Sequence, residues 1–308
     1  MNDLIFIAHI AVKSSAAVLL ATLGEIAAER SGVLNLGVEG MMLLGALAGF
    51  AAGQATGNPW IGVAAGAGAG GLAALLHGFF SITVRSNQVL SGLALTILGT
   101  GLANFLGRPL IGARGVRIAA LPIPGLADVP AVGRIFFQQN LLIYFGYLIV
   151  PLAAWVLFRT RTGLLVRAVG EDAAAADAAG TPVALVRYAC VALGGLLAGL
   201  GGAYLSLAYT PGWKESMTAG QGWIAIAMVI FATWNPVRAW AGALLFGFLT
   251  ALQFHFQLSG SEWIPGWLLR ALPYLLTIAV LVFVNKFESA RYRMGAPADL
   301  GIPFSREG

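Results

Sequence analysis

Nine apolar stretches, most of them near twenty residues long and parted by short polar turns, constrain this chain more than any other feature. A helix crosses the hydrocarbon core of a bilayer in about 20 residues, because each residue advances about 1.5 Å against a thickness of roughly 30 Å. The stretches are 4–24, 33–55, 60–83, 88–106, 141–158, 187–209, 222–234, 237–258 and 264–285. The seventh is short and only the turn Trp234-Asn235-Pro236 separates it from the eighth, so a partial span is expected there. The total lies between eight and ten, and nine is the reading taken. The expected fold class is therefore all-α, a polytopic transmembrane helix bundle, as one domain over residues 1–308.

Composition agrees. Hydrophobic residues make up 58% of the 308 and charged residues 10%, against about 25% charged in soluble domains. A soluble core of this size could not hide so much apolar surface. The net charge of +5 does not indicate nucleic acid, because the basic residues sit in short loops between apolar runs, as membrane proteins place them. Cys190 is the single cysteine, which excludes a disulfide framework and a cysteine-based metal site. No basic residue precedes the first apolar stretch, so it reads as a permanent span rather than a secretory signal.

The arginines and lysines set an expected orientation. Arg159, Arg161, Arg167 and Arg187 flank loop 159–187, and Lys286, Arg291, Arg293 and Arg306 fall in the tail, with Arg30, Arg85 and Arg238 on the same side. Arg108, Arg114, Arg117, Arg134, Lys214 and Arg270 fall on the other. The first group is larger, so loop 159–187 and the C-terminus are expected in the cytoplasm, and nine spans put the N-terminus outside. Loop 107–140, with four prolines, reads as an irregular outer segment carrying a short surface helix. The polar tail, about 287–308, is expected to be flexible.

No phosphate-binding loop of the Walker kind is present: the three lysines, Lys13, Lys214 and Lys286, do not follow glycine. No catalytic or metal-ligating set is read. The three histidines, His9, His77 and His255, are far apart and read as packed or interfacial residues.

The stretch 24–40 places four charges and an Asn between two apolar runs. Asn35 and Glu39 are four apart and on a helix would share a face. A carboxylate at membrane depth is a functional candidate; the alternative puts Glu39 at the interface, paired with Arg30. For Glu25 and Glu29 the interface reading is favoured. Residues 85–92 form a tight polar turn in which Asn87 and Gln88 cap helix ends or line a solute path. Asn104 and Thr96 follow on the same span. Gly170-Glu171-Asp172 leads an alanine run through Asp177, Ala178 and Ala179 to Gly180, with Pro182 beyond. Acids at the start, alanines within and glycine at the end predict one short helix over about 171–180, either a plain connector or a docking element. Gly62, Gly66 and Gly70, and Gly195 and Gly199, are small-xxx-small steps for close helix packing.

These residues carry a resemblance. Gly24 through Met42, Asn87-Gln88-Val89 with Ser91-Gly92-Leu93-Ala94, Arg167 through Gly180, and Gly222-Trp223-Ile224-Ala225 with Trp234-Asn235-Pro236 resemble the permease subunits of bacterial ABC importers. The branch is that of branched-chain amino acid, simple-sugar and nucleoside permeases, and the long form at 24–42 is most similar to the nucleoside type. The resemblance implies a multi-pass protein of the bacterial cytoplasmic (inner) membrane that is not itself an enzyme and binds no cofactor. ATP and Mg belong to a partner ABC ATPase. It implies a second permease subunit, a copy or a paralogue, and an extracytoplasmic substrate-binding lipoprotein. It implies ATPase coupling through Glu171, Asp172, Asp177, Ala178, Ala179 and Gly180, and it makes Asn35, Glu39, Asn87, Gln88 and Asn104 candidates for the substrate path. The expected function is ATP-driven import of nucleosides. The alternatives are simple-sugar or branched-chain amino acid import, or a carrier driven by an ion gradient acting through Glu39.

Overall fold

The structure, a computed structural model, describes residues 2–258 and 295–305, together with the isolated positions 271, 272, 275, 278 and 282. The apolar stretches become helices: α1 (Asn2–Arg30), α2 (Val38–Thr56), α3 (Pro59–Gly78), α4 (Gln88–Gly107), a short α5 (Val132–Phe136), α6 (Leu141–Arg159), α7 (Arg161–Glu171), α8 (Ala173–Ala178), α9 (Val183–Tyr204), α10 (Gln221–Phe231) and α11 (Pro236–Leu258). α3 and α9 each run on into one π-helical turn, Phe79–Thr83 and Leu205–Tyr209. Among the described residues, seven helices are long and apolar enough to cross a membrane. Leu72, Ile97, Phe105 and Leu148 point outward, each about two-thirds or more exposed, a surface suited to lipid rather than water.

The stretch 222–234, expected as a partial span, is the 11-residue α10, about 16 Å of helix, half a span. Two expectations are corrected here. The stretch 33–55 is helical only from Val38, because residues 31–37 form a turn. The tail, expected to be flexible, is held over residues 295–305: Gly301 N–H donates to the Gly32 carbonyl (3.1 Å), and Phe304 packs on the Val169, Ala173, Ala176 and Val183 cluster. A half-buried aromatic side chain and backbone pairing outweigh the polarity of this segment. The expected span 264–285 lies, apart from the isolated positions, outside the described residues.

α9 runs through the centre with α1, α2 and α3 around it. It passes antiparallel to α3, and the two backbones touch through glycine. A Cβ on Gly70 would lie 2.3 Å from the Gly195 carbonyl oxygen, and one on Gly202 would lie 1.9 Å from that of Met42. Those atoms are backbone and cannot rotate away, so the small-xxx-small pattern is a packing surface, as its spacing implied.

The two ends of the bundle differ. Arg30, Arg187, Arg238, the α7–α8 segment and residues 295–305 gather at one end: Arg30 donates to the Gly295 carbonyl and Arg187 to that of Ile302. The start of α1, loop 107–140 and the end of α9 lie at the other. There the His9 ring donates to the Arg134 carbonyl (2.7 Å), and Ile118 N–H donates to Leu207 (2.8 Å). The short helix expected in loop 107–140 is α5, packed on the start of α1.

Gly70→Ala is expected to lower stability in detergent by about 1–3 kcal/mol through overpacking. Gly68→Ala, whose Cβ meets nothing within 4 Å, should leave the thermal midpoint unchanged, and scanning fluorimetry on both variants checks the contrast.

Candidate functional site: a buried re-entrant turn, a half-helix and an exposed short helix

α1 ends because Gly32 adopts φ +88, which an L side chain resists. Gly32 N–H returns to the Glu29 carbonyl (2.9 Å) and Val33 N–H to that of Ala28 (3.2 Å), the Schellman pattern. The chain then turns back alongside α1 instead of leaving the bundle. Irregular backbone at membrane depth survives only where protein satisfies it, and side chains from other helices do so here. Leu34 N–H donates to Gln88 Oε1 (2.7 Å) and Asn35 N–H to Glu25 Oε1 (3.0 Å). The Leu34 carbonyl accepts from His77 Nε2 (3.1 Å) and that of Leu36 from Thr96 Oγ1 (2.8 Å). A carbonyl can only accept, so Nε2 of His77 carries the proton and Nδ1 accepts from the Ser91 hydroxyl (3.0 Å). Asn35 folds its Oδ1 onto Gly37 N–H (2.9 Å), an Asx turn that leads into α2.

The half-helix α10 begins inside the bundle. Thr22 on α1 donates to the Ala225 carbonyl (3.4 Å) and Glu29 accepts from the Trp234 indole (2.6 Å), so α10 runs parallel to the second half of α1. Its N-terminus therefore lies level with the middle of α1. There Glu39 accepts from Gly220 N–H (3.0 Å), Gly222 N–H (2.7 Å) and the Thr218 hydroxyl. A helix start presents unpaired N–H groups and partial positive charge, and a carboxylate answers both. Gly222 has to be glycine, since a Cβ would sit 2.5 Å from the Glu39 Cα. The far end of α10 closes on Thr233 and Trp234, both at positive φ, and Arg30 donates to both carbonyls.

The segment expected to couple to an ATPase is two helices rather than one. Glu171 closes α7, Asp172 breaks the backbone, and α8 begins at Ala173. The break follows from Asp172, whose Oδ1 accepts from Ala175 N–H (2.8 Å) and so favours an N-cap over a continuous helix. Gly180 at φ +84 ends α8 in a Schellman turn, as read from the sequence. Ala173 and Ala176 face inward, while Ala174, Ala175, Ala178, Ala179 and Gly180 are exposed, a small-sided outer face, with Asp177 half-buried.

The structure thus buries Asn35, Glu39 and Gln88 and gives each a backbone to hold: Gln88 holds Leu34, Asn35 leads into α2 and Glu39 meets the start of α10. It leaves Asn87 as the cap of α4, its Oδ1 accepting from Leu90 N–H (3.1 Å). Asn104 is tied to Ser216 in the loop before α10, accepting from its N–H (2.9 Å) and donating to its hydroxyl (3.1 Å). Three expectations change. Asn35 and Glu39 do not share a helix face, because Asn35 precedes the helix. Glu39 is not paired with Arg30, which binds carbonyls instead. Glu25 and Glu29, expected at the interface, are enclosed by protein, 1% and 2% exposed, because their acceptors serve the turn and Trp234. In the sequence His77 reads only as a packed or interfacial histidine and Arg187 only as a basic residue at the end of loop 159–187; nothing singles out Thr218, in the polar loop before α10. Glu39→Ala, which strips acceptors from two N–H groups and a hydroxyl, is expected to cost roughly 2–4 kcal/mol. Glu39→Gln, which keeps one acceptor oxygen, should cost less, and denaturation of the purified variants checks the order.

Residues 6–283 match the family described as "Branched-chain amino acid transport system / permease component". A Haloferax volcanii protein provisionally named as a glucose ABC transporter permease is 43% identical, covering 96% of this chain and 96% of its own. A nucleoside ABC transporter permease of Lactococcus lactis is 35% identical over 88% of this chain and 90% of its own. A guanosine ABC transporter permease of Bacillus subtilis is 35% identical over 94% and 93%. No solved structure is significantly similar. The family match over nearly the whole length, with relatives 35–43% identical along most of their own lengths, places this chain in the branched-chain amino acid transport system permease family of ABC transporters.

Proposed function

We propose that this chain is the permease subunit of an ATP-driven importer of nucleosides in the bacterial cytoplasmic membrane. The observation that carries the coupling is α8: a short helix with an outer face of alanine and glycine, held at the end of the bundle where the arginines gather. Such a face lets a groove close tightly around it, and the arginine-rich end is the one that stays in the cytoplasm. Glu171, Asp172, Asp177, Ala178, Ala179 and Gly180 then lie toward a separate ABC ATPase, which holds ATP and Mg. A second permease, a copy or a paralogue, completes the path, and an extracytoplasmic binding lipoprotein delivers solute. ATP shifts the inward and outward populations only as far as its binding differs between them.

Two relatives named for nucleoside and guanosine transport, matched along most of their lengths, favour nucleosides. Glucose is the second reading, favoured by the 43% identical relative. The gradient-driven alternative needs a carboxylate open to solute, and both oxygens of Glu39 already accept hydrogen bonds. Of the five path candidates, Asn87 is exposed and Asn104 half-buried, so these two can meet solute without disturbing the buried turn.

The tagged chain, purified gently from its own membranes, is expected to bring an ATPase with it. Liposomes holding that complex, with the binding lipoprotein on the solute side, should take up labelled guanosine only with ATP in the ATPase compartment, and unlabelled nucleosides should compete while glucose does not. Competition by glucose alone would replace the substrate. Uptake by the isolated chain on an ion gradient would replace the mechanism.

A further inference from the structure

The exposed helix α8 is short and cannot hold its own place. Six residues give too few internal hydrogen bonds to offset the entropy of ordering them. Asp172 caps it from within the loop, but a second carboxylate comes from far along the chain: Asp299 Oδ2 accepts from Ala173 N–H at 2.7 Å. Asp299 N–H in turn donates to the Gly170 carbonyl at 2.9 Å, so the residue clamps both sides of the break between α7 and α8.

The same segment reaches the buried turn. Two residues on, Gly301 N–H donates to the Gly32 carbonyl (3.1 Å). Arg187, 1% exposed, donates from Nε to the Ser31 carbonyl (3.2 Å) and from Nη1 to that of Ile302 (3.1 Å). One buried guanidinium therefore grips the re-entrant turn and the strap together. Phe304 closes the packing against α8.

We infer that residues 295–305 are a strap that joins α8 to the re-entrant turn 31–37, with Asp299 as the positioning residue that makes movement of α8 felt at that turn. This rests on the reading of α8 as the ATPase-coupling helix. At the junction itself Gly170 abuts Arg30 and Gly32, where a Cβ would meet the Arg30 carbonyl oxygen; the strap adds a hydrogen-bonded route to the same turn that starts from α8 itself. With it, displacement of α8 pulls on Gly32 and Arg187, and through them on backbone held by Gln88, His77 and Thr96 from α3 and α4.

The test compares Asp299→Ala with Asp299→Asn in the full complex with its ATPase. The alanine variant loses the acceptor; the asparagine variant keeps an amide oxygen for Ala173. Hydrogen exchange of the α8 amides is expected to speed up about ten-fold in Asp299→Ala, with those of central α9 unchanged, the scale of one lost charge-assisted hydrogen bond. Guanosine or glucose uptake, whichever the wild type shows, should fall by a similar factor while ATP hydrolysis falls less, so that more ATP is used per solute. Asp299→Asn should restore most of the coupling, which a variant that merely misfolds at this position would not show. If Asp299→Ala leaves α8 exchange or the ATP-to-solute ratio at wild-type values, the strap has no positioning role and the importer reading stands. If the wild-type chain binds no ATPase, the importer reading falls first and the strap's role in transport falls with it.

Discussion

Non-helical backbone buried between α1 and α2 is the constraint around which the rest of this structure is arranged. In water such a turn would be solvated; in a bundle surrounded by lipid every amide must find a protein partner. Gln88 and Thr96 come from α4, His77 from α3 and Glu25 from α1, so three helices must stand where they do for residues 34–36 to be satisfied. The close approach of α4 to the turn needs glycine on both sides: a Cβ on Gly92 would lie 2.6 Å from Leu36 N, and one on Gly37 would lie 2.8 Å from the Leu95 side chain.

The second break, at the start of α10, is answered by charge rather than by neutral amides. Glu39 meets the N-terminus of the half-helix, and Glu29 meets the indole that follows its C-terminal end. Burial of an ionised carboxylate is costly unless several donors converge on it, and here backbone N–H groups and a hydroxyl do so. Two interrupted elements thus meet inside the bundle, the turn before α2 and the start of α10. Interrupted helices cost stability and need dedicated partners, and they are also where a packed bundle has a small number of alternative arrangements available. The glycine contacts between α3 and α9, by contrast, hold two continuous backbones in direct contact.

Much of the scaffold was readable from residues alone. The α3 and α9 glycine steps, the capping by Asn87, the glycine stop at Gly180 and the short partial span near 222–234 all follow from local rules of helix length, capping and close packing. The break at Asp172 was missed because an acid at the start of an alanine run reads equally as the first turn of a helix and as its cap. The burial of Glu25 and Glu29 was missed because charge near a helix end ordinarily marks an interface, and only the folded turn supplies the groups that make the interior acceptable. Docking of residues 295–305 was hidden for the same reason: a polar, proline-containing segment looks loose until its partners, Gly32, Gly170 and Arg187, are brought to one place.

The sequence by itself determined that the chain spans a membrane as helices, where most of those helices lie, and which end carries the arginines, because hydrophobic length and charge are summed locally and need no knowledge of neighbours. Only the tertiary structure decided that Asn35, Glu39 and Gln88 are buried against backbone, that Arg30 serves carbonyls instead of a carboxylate, and that Asp299 lies against Ala173. Those are choices of partner between residues up to hundreds apart, made by which helices pack together, and no local rule contains that information.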